Sequence, residues 1–228
     1  MYTFLGVLLL SGCHQLPNRR LYWSKSEDCS VEIVSNSITR NRFEEILKYL
    51  HLADNARYDW QDRLYKVRPL FSVLNKNFKI PFQIENISVD ESIIPNLFCG
   101  KPIRFGFKLW CLSDSAGYLY HAEPYAGVDT DLPKTDLGQG GDVVLGLVDK
   151  CRVPPGMKVF FDNFFTSENL LKELTRKGIG ATGTFRENRV KEIYNLPEKI
   201  QFKRLKRGKA VYRSDGSLLI MRWNDSNV

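Results

Sequence analysis

Two different hydrophobic periodicities divide this chain near residue 80. Before that point apolar residues recur every three or four positions, as in the run Phe43, Ile46, Leu47 and Leu50, which is typical of amphipathic helices. From Ile84 onward the chain changes to short β-rich segments separated by turns. A length of 228 residues with 43% hydrophobic content is enough for one large domain or two small ones. The sequence therefore predicts a helical region followed by a mixed α/β region.

Three helices are predicted within the first 80 residues. The first covers the apolar run 4–10 and stops at Gly12, because Pro17 cannot continue it. Thr39 is the expected N-cap of the second, which covers 40–54. The third begins near Val67 to Pro69, since proline is tolerated in the first turn of a helix.

The opening segment MYTFLGVLLLSGC has a second interpretation. Its residues 10–13, ending in Cys13, have the spacing of a bacterial lipoprotein cleavage box. An export signal needs basic residues before its apolar run, however, and the first Lys or Arg is Arg19. The run is also too short to span a bilayer. We therefore expect a buried helix, an ordinary thiol at Cys13, and a protein that is neither secreted, lipid-anchored nor membrane-bound.

The β-rich half follows a recognisable order of elements. Three antiparallel strands are predicted at 85–94, 105–114 and 118–127, followed by a helix at 142–151 and a strand within 157–167. A helix with Ser167 as N-cap and Gly178 as C-cap comes next, and then a strand at 180–185. This is the order of a ribonuclease H-like α/β domain, which the periodicity permits without proving.

Two aspartates follow apolar strand segments in the same way. Asp90 comes after Ile87-Ser88-Val89, and Asp162 comes after Val159-Phe160-Phe161. A carboxylate beside apolar strand residues needs a cation or a hydrogen-bond donor, so both could face one shared Mg²⁺ site at neighbouring strand ends. In phosphoryl transfer such carboxylates hold two Mg²⁺ ions. The alternative is that both aspartates cap turns, and the residues alone favour that alternative.

Charge and cysteine content limit the partners. The net charge is +7 with a pI near 9.1, which favours an anionic partner such as nucleic acid. The five cysteines are scattered and contain no C-x-x-C pair, so neither a disulfide framework nor a zinc site is predicted.

Basic residues concentrate in two places. The segment 199–213 holds seven Lys or Arg and no acid, and it could be either a lysine-protected edge hairpin or a ribbon that follows DNA phosphates. In the other group, Arg104 and Lys108 are expected on one strand face next to Asp90. The predicted DNA-binding residues are Lys101, Arg104, Lys108, Lys203, Arg204, Lys206, Arg207 and Lys209.

Several stretches together resemble one family of DNA transposases. They include VDESIIP, GKPIRFGFKLWCLSDSAGYLYHAEPYAG, GQGGDVVLGLVDK, VFFDNFFTSENLLKELTRKGIGATGTFREN and YRSDGSLLIMRWND. In combination they resemble the piggyBac transposases and their domesticated derivatives, from about Tyr2 to the last residue. The first helix then resembles part of that family's N-terminal helical region.

The resemblance implies a fold, a chemistry and a location. The family has a ribonuclease H-like core, three catalytic aspartates and Mg²⁺, and it inserts at TTAA sites. Asp90 in VDES resembles the first catalytic aspartate, and Asp162 in FFDNFFTS resembles the second. DNA is the implied partner, a homodimer is allowed, and the implied location is the nucleus.

The chain also departs from the family's pattern. The third aspartate, which belongs to a downstream GGVD-like motif, is absent, and neither Glu187 nor Asp225 lies where it would be expected. The cysteine-rich zinc module, most of the inserted domain and a longer basic segment between Pro95 and Lys101 are absent too, so the chain looks cut at both ends.

From these departures we predict three parts: a helical region at 1–80, a partial catalytic core at 81–188 and the start of a basic inserted β domain at 189–228. The first functional hypothesis is a catalytically incomplete fragment with residual DNA binding, weak or vestigial Mg²⁺ binding and poor solubility. The alternative is part of an active cut-and-paste transposase whose third aspartate is encoded downstream.

Overall fold

The computed structural model describes residues 1–78, 81–95, 106–186, 195–198, 200, 202 and 204–224. The chain divides into two compact units, Met1–Tyr58 and Asp59–Val228. The division predicted from the sequence, at residues 80 and 188, stays a prediction. The described residues include no helix that is both long enough and apolar enough to cross a bilayer.

The first unit is a small helical cluster. Its helices are α1 (Tyr2–Cys13), the single turn α2 (Glu32–Ser35) and α3 (Arg40–Tyr49), with short 3₁₀ turns between and after them. The predicted first helix is present and buries Phe4 completely, with its ring 4.9 Å from that of Phe43. The Thr39 hydroxyl accepts from the backbone N–H of Arg42, so the predicted N-cap is confirmed.

The second unit is built around a five-stranded mixed sheet. Its strands are β1 (Asn86–Pro95), β2 (Gly106–Asp114), β3 (Leu119–Pro124), β4 (Lys158–Phe161) and β5 (Gly180–Gly183), in the spatial order β3-β2-β1-β4-β5. The first three strands are antiparallel, whereas β4 runs parallel to both β1 and β5. This is the mixed α/β architecture that the order of elements predicted.

Three helices accompany these strands. α4 (Arg68–Asn77) precedes β1 and contributes no buried residue, whereas α5 (Gly138–Cys151) and α6 (Glu168–Arg176) connect β3 to β4 and β4 to β5 and supply buried core residues. Pro69 lies in the first turn of α4, and Ser167 caps α6 by accepting from Leu170 N, as predicted. Gly178 is one position beyond the C-cap, Lys177, with a φ of +73°, a conformation that glycine adopts without strain.

The two faces of the sheet differ in burial. Ile87 and Val89 of β1 and Val159 and Phe161 of β4 are buried, and they pack in one cluster with residues of α5 and α6. Alternate residues on the same strands point to the other face, where Asp90 is exposed and Phe160 is 39% exposed. The apolar core therefore lies on the helix side of the sheet.

A separate hairpin lies near the C-terminus. Its strands, β6 (Ala210–Ser214) and β7 (Leu219–Trp223), are antiparallel and form their own two-stranded sheet. Leu218 and Ile220 of the hairpin are buried, as is Phe202 before it. The run of basic residues just before Ala210 precedes the hairpin instead of lying along its strands.

Candidate catalytic site and basic surface

The two candidate carboxylates stand at the same point of the sheet. The parallel ladder between β1 and β4 ends at the pair Val89 and Phe161. The next residue on each chain is an aspartate, Asp90 on β1 and Asp162 directly after β4. Because neighbouring strands lie about 4.8 Å apart, the two residues leave the ladder side by side. The sequence-based expectation that they are neighbours agrees with this register.

One part of that expectation is wrong, because Asp90 does not end its strand. β1 continues for five residues to Pro95, and Asp90 lies opposite Cys111 of β2. The strand continues because β2 still pairs with it on the other side after β4 has ended. Asp90 is thus held in a regular ladder instead of a loop.

Backbone N–H groups orient both carboxylates. Asp90 Oδ1 accepts from the N–H of Glu91 at 2.7 Å, and Asp162 Oδ1 accepts from the N–H of Phe164 at 2.8 Å. The Asp162 carbonyl also accepts from the Thr166 hydroxyl at 2.7 Å. Both side chains are exposed, and within the described residues neither forms an ion pair with a Lys or Arg. Each carboxylate therefore keeps an oxygen available to a ligand.

The Cys111 thiol lies opposite Asp90 in the β1–β2 ladder and is expected to be unreactive at neutral pH. Burial, with a smaller contribution from the negative charge of Asp90, raises the pKa of Cys111 to about 11. At neutral pH the thiol is protonated and therefore a poor metal ligand and nucleophile.

The residue types at this position fit a divalent cation such as Mg²⁺. Carboxylate oxygens are hard ligands, and Mg²⁺ in proteins is commonly held by one or two carboxylates with water completing the octahedron. Among the described residues, no group of three His, Cys, Asp or Glu side chains could hold a metal. Glu187 and Asp225, the other acids considered from the sequence, lie outside the described residues.

Lys108 is not on the face predicted from the sequence. In the β1–β2 register Lys108 lies opposite Ile93, and its ammonium forms an ion pair with Glu91. Successive residues of a strand point to opposite faces, so Glu91 and Lys108 lie on the face of β1 that Asp90 does not occupy. The Lys108 ammonium lies 4.1 Å from the centre of the Trp110 ring. Lys108 thus covers an aromatic core residue, and the expectation that it flanks Asp90 is wrong.

The remaining predicted DNA-binding residues divide into two groups. Lys101, Arg104 and Lys203 lie outside the described residues. Arg204, Lys206, Arg207 and Lys209 are all exposed and lead into β6. The Lys209 carbonyl accepts from Asn224 N at 2.9 Å, so this basic group sits at the open end of the hairpin.

Arg186 is a cation near Asp162 that was not among the predicted site residues. Its Nε donates to Asn163 Oδ1 at 2.8 Å, and Asn163 directly follows Asp162. The guanidinium is exposed and carries a fixed positive charge. Both residues occur in the motifs quoted from the sequence, but only the turn after β4 brings them together.

A cluster of charged groups at the edge strand β3 was also not predicted from the sequence. Glu123 Oε2 lies 3.1 Å from His121 Nε2 and 2.7 Å from Lys150 Nζ, which in turn lies 2.7 Å from Asp131. Burial alone would lower the pKa of Lys150, but its bonds to Asp131 and Glu123 outweigh burial and raise it. These groups line a cleft of about 470 Å³ beside α4.

No local pattern could have predicted this charged cluster. Its members come from β3, from the loop before α5 and from the last turn of α5. They meet only when the sheet and helices are assembled, and their spacing along the chain matches no common motif.

Comparisons with known proteins identify the family. The model of the Transposase IS4 family matches residues 1–228. The human PiggyBac transposable element-derived protein 2 is 40% identical over 98% of this chain, and protein 3 is 37% identical over 99%. The chain covers 40% of each of these two relatives.

A solved structure has the same fold. It is the cryo-EM structure of a piggyBac transposase synaptic complex with hairpin DNA, which matches with a TM-score of 0.76 and 21% sequence identity. The match covers 99% of this chain and 49% of that one. The solved structure agrees in fold, and the family model that matches residues 1–228 places the chain in the piggyBac-type branch of the IS4 transposase family.

Proposed function

We propose that this chain is a piggyBac transposase-derived protein segment that binds DNA without sequence preference and does not cleave it unaided. The observation that carries the proposal is the position of Asp90 and Asp162 side by side at the end of the β1–β4 ladder, while no group of three acidic, His or Cys side chains among the described residues could hold a metal. A two-metal phosphoryl transfer needs more carboxylate ligands than two residues supply.

The DNA-binding part of the proposal rests on charge. Arg204, Lys206, Arg207 and Lys209 are exposed at one end of the hairpin, and the chain carries a net charge of +7. Lys and Arg that neutralise phosphates release condensed counterions, so binding strengthens as salt falls. The related solved structure is a complex with hairpin DNA, which agrees with a nucleic-acid partner.

Asp90 and Asp162 are proposed as the residues that hold Mg²⁺. When bound, the ion would activate the attacking oxygen or stabilise the leaving oxygen. The chain's own contribution is orientation, because the N–H groups of Glu91 and Phe164 each fix one carboxylate oxygen and leave the other free for a ligand. With two ligands the affinity for Mg²⁺ is expected to be weak.

Fluorescence anisotropy and a nicking assay test both parts of the proposal. A labelled duplex should bind the purified chain, with log K falling linearly as log salt rises. Supercoiled plasmid should remain intact with Mg²⁺ present. Plasmid nicking that is lost in Asp90→Asn and in Asp162→Asn would overturn the non-catalytic proposal, and duplex binding that does not respond to salt would overturn the electrostatic one.

A second candidate function is the same chain as part of an active transposase. Two intact carboxylates that form no ion pair within the described residues favour it, since a site that had lost its metal would no longer need two exposed acids. Joining the chain to whatever part of PiggyBac transposable element-derived protein 2 follows the matched region tests it. Excision of a piggyBac-type element that is abolished by Asp162→Asn would establish this function, and lack of excision with a folded chimera would refute it.

Nuclear location and homodimer formation are further parts of the proposal, and both rest on the family. A fluorescent fusion expressed in human cells should accumulate in the nucleus, and an even distribution would refute this part. Sedimentation of the purified chain should give the mass of a dimer, whereas a monomer at all concentrations would refute the other.

A further inference from the structure

One face of the β6–β7 hairpin is apolar and uncovered by the described residues. In the hairpin register Ala210 lies opposite Trp223, Tyr212 opposite Met221, and Ser214 opposite Leu219. Directly opposed residues of an antiparallel pair share a face. We call Tyr212, Leu219, Met221 and Trp223 the aromatic face; their exposures are 65%, 66%, 56% and 56%.

The other face of the same hairpin is packed. Ile220 is 7% exposed, Val211 is half-buried, and the Arg222 side chain donates to the carbonyl of Pro197. The hairpin is therefore anchored on one side, so the exposure of Tyr212 and Trp223 belongs to an ordered element. Four large apolar side chains on one ordered surface are a common sign of an interaction site.

The charges around the aromatic face indicate the chemistry of the partner. Four exposed cations, Arg204, Lys206, Arg207 and Lys209, lie at the open end of the hairpin, where Ala210 pairs with Trp223, whereas Arg213 and Arg222 belong to the packed face. The single acid between positions 204 and 222 is Asp215, whose carboxylate accepts from the N–H groups of Ser217 and Leu218 in the turn. The surface thus combines exposed rings with a strong positive charge and suits an anionic partner.

We propose that the aromatic face binds single-stranded nucleic acid, with unpaired bases stacked on Tyr212 and Trp223 and phosphates held by the basic group at the open end of the hairpin. Aromatic rings beside a positively charged groove are the usual platform for unpaired bases. In a duplex the base faces are stacked on one another and only the polar base edges are accessible in the grooves. Large apolar rings cannot form hydrogen bonds with those edges. The inference rests on the proposed DNA binding and adds a preference for single strands to it.

Anisotropy measurements with the full chain, a 5′-labelled oligothymidylate and a duplex of matched length test this inference. We expect the single strand to bind more tightly than the duplex. Trp223→Ala and Tyr212→Ala should each weaken single-strand binding by roughly 5- to 150-fold and leave duplex binding unchanged. Trp223→Phe keeps a ring and should retain most of the affinity.

Matched controls separate stacking from charge. Lys206→Gln should weaken binding to both nucleic acids and reduce the salt slope on the single strand by about 0.7, whereas Trp223→Ala should leave that slope unchanged. Trp60 is 86% exposed and lies outside the hairpin, so Trp60→Ala should change neither affinity. Unchanged thermal melting of all variants would exclude loss of folding as the cause.

The outcomes also separate this inference from the proposed function. Equal or tighter binding of the duplex, or unchanged single-strand binding by Trp223→Ala, would overturn the inference and leave salt-dependent DNA binding intact. Failure of the unmodified chain to bind either nucleic acid would overturn both. A change from oligomer to monomer in Trp223→Ala, with unchanged DNA affinity, would assign the face to a second copy of the chain and also overturn the inference.

Discussion

Asn75 protects the open edge of the central sheet, and its replacement by alanine should destabilise the second unit strongly. β3 is an edge strand, so one side of its backbone has no strand to pair with. The Asn75 side chain substitutes for that strand at Ala122: its Nδ2 donates to the Ala122 carbonyl and its Oδ1 accepts from the Ala122 N–H, both at 2.9 Å. Ala122 is 3% exposed, so water cannot readily replace the amide.

The expected loss in Asn75→Ala follows from these two bonds. Each hydrogen bond contributes about 1 kcal/mol net, and a buried N–H or carbonyl left without a partner costs about 1–3 kcal/mol. Alanine has a higher helix propensity than asparagine, and this difference offsets at most about 0.7 kcal/mol of the loss in α4. The free energy of unfolding should therefore fall by about 2–4 kcal/mol.

Urea denaturation and hydrogen exchange test the reasoning about Asn75. The urea midpoint should fall without a change in slope, and the Ala122 amide should lose more exchange protection than its neighbours in β3. Asn77→Ala is the matched control, because Asn77 is exposed on the same helix and makes one local bond to the Val73 carbonyl. If both variants lost the same stability, or if Ala122 kept its protection in Asn75→Ala, the edge-pairing role would be refuted.

Three further predictions concern the second unit. Burial alone would raise the pKa of Asp114, but hydrogen bonds from backbone N–H groups and the Tyr120 hydroxyl outweigh it and hold the pKa below its ordinary 3.8. The carboxylate therefore stabilises the fold above that pH, so Asp114→Asn should unfold at lower urea at pH 7, and the difference should shrink as acid protonates the wild-type side chain. Because the pKa of Cys111 is about 11, peptide mapping after iodoacetamide treatment at pH 8 should find Cys13, which is exposed, labelled well before Cys111; equal rates would contradict the burial of Cys111. A methyl group on Gly140 would lie 2.6 Å from a backbone carbonyl of the loop after β4, so Gly140→Ala should lower the free energy of unfolding by about 1–3 kcal/mol, and an unchanged melt would show that this contact relaxes freely.

Local signals in the sequence predicted where three helices begin, but the helix predicted over residues 40–54 ends at Tyr49. Thr39, Pro69 and Ser167 act through bonds or dihedral angles within one helical turn, so a single sequence is enough to place them. The order of strands and helices was likewise readable, because each segment carries its own hydrophobic period. The mixed sheet follows from that order.

Features that depend on pairing between distant segments were predicted less well. The face of Lys108 relative to Asp90 depends on the β1–β2 register, since a shift of one residue moves a side chain to the other face. The continuation of β1 beyond Asp90 depends on β2 in the same way. For Arg186, the contact with Asn163 is formed by the turn after β4, and neither residue has a local pattern that indicates it.

The two candidate carboxylates are positioned by different parts of the fold. Asp90 is fixed by the β1–β2 ladder, whereas Asp162 is fixed by the turn that follows β4, through its bonds to Phe164 and Thr166. That turn packs closely against α5: a Cβ atom added at Gly140 would lie 2.6 Å from the carbonyl oxygen of Phe164. The distance between the carboxylates, and with it the affinity for a cation, is therefore set by how α5 packs on the turn after β4 as well as by the strand pairing itself.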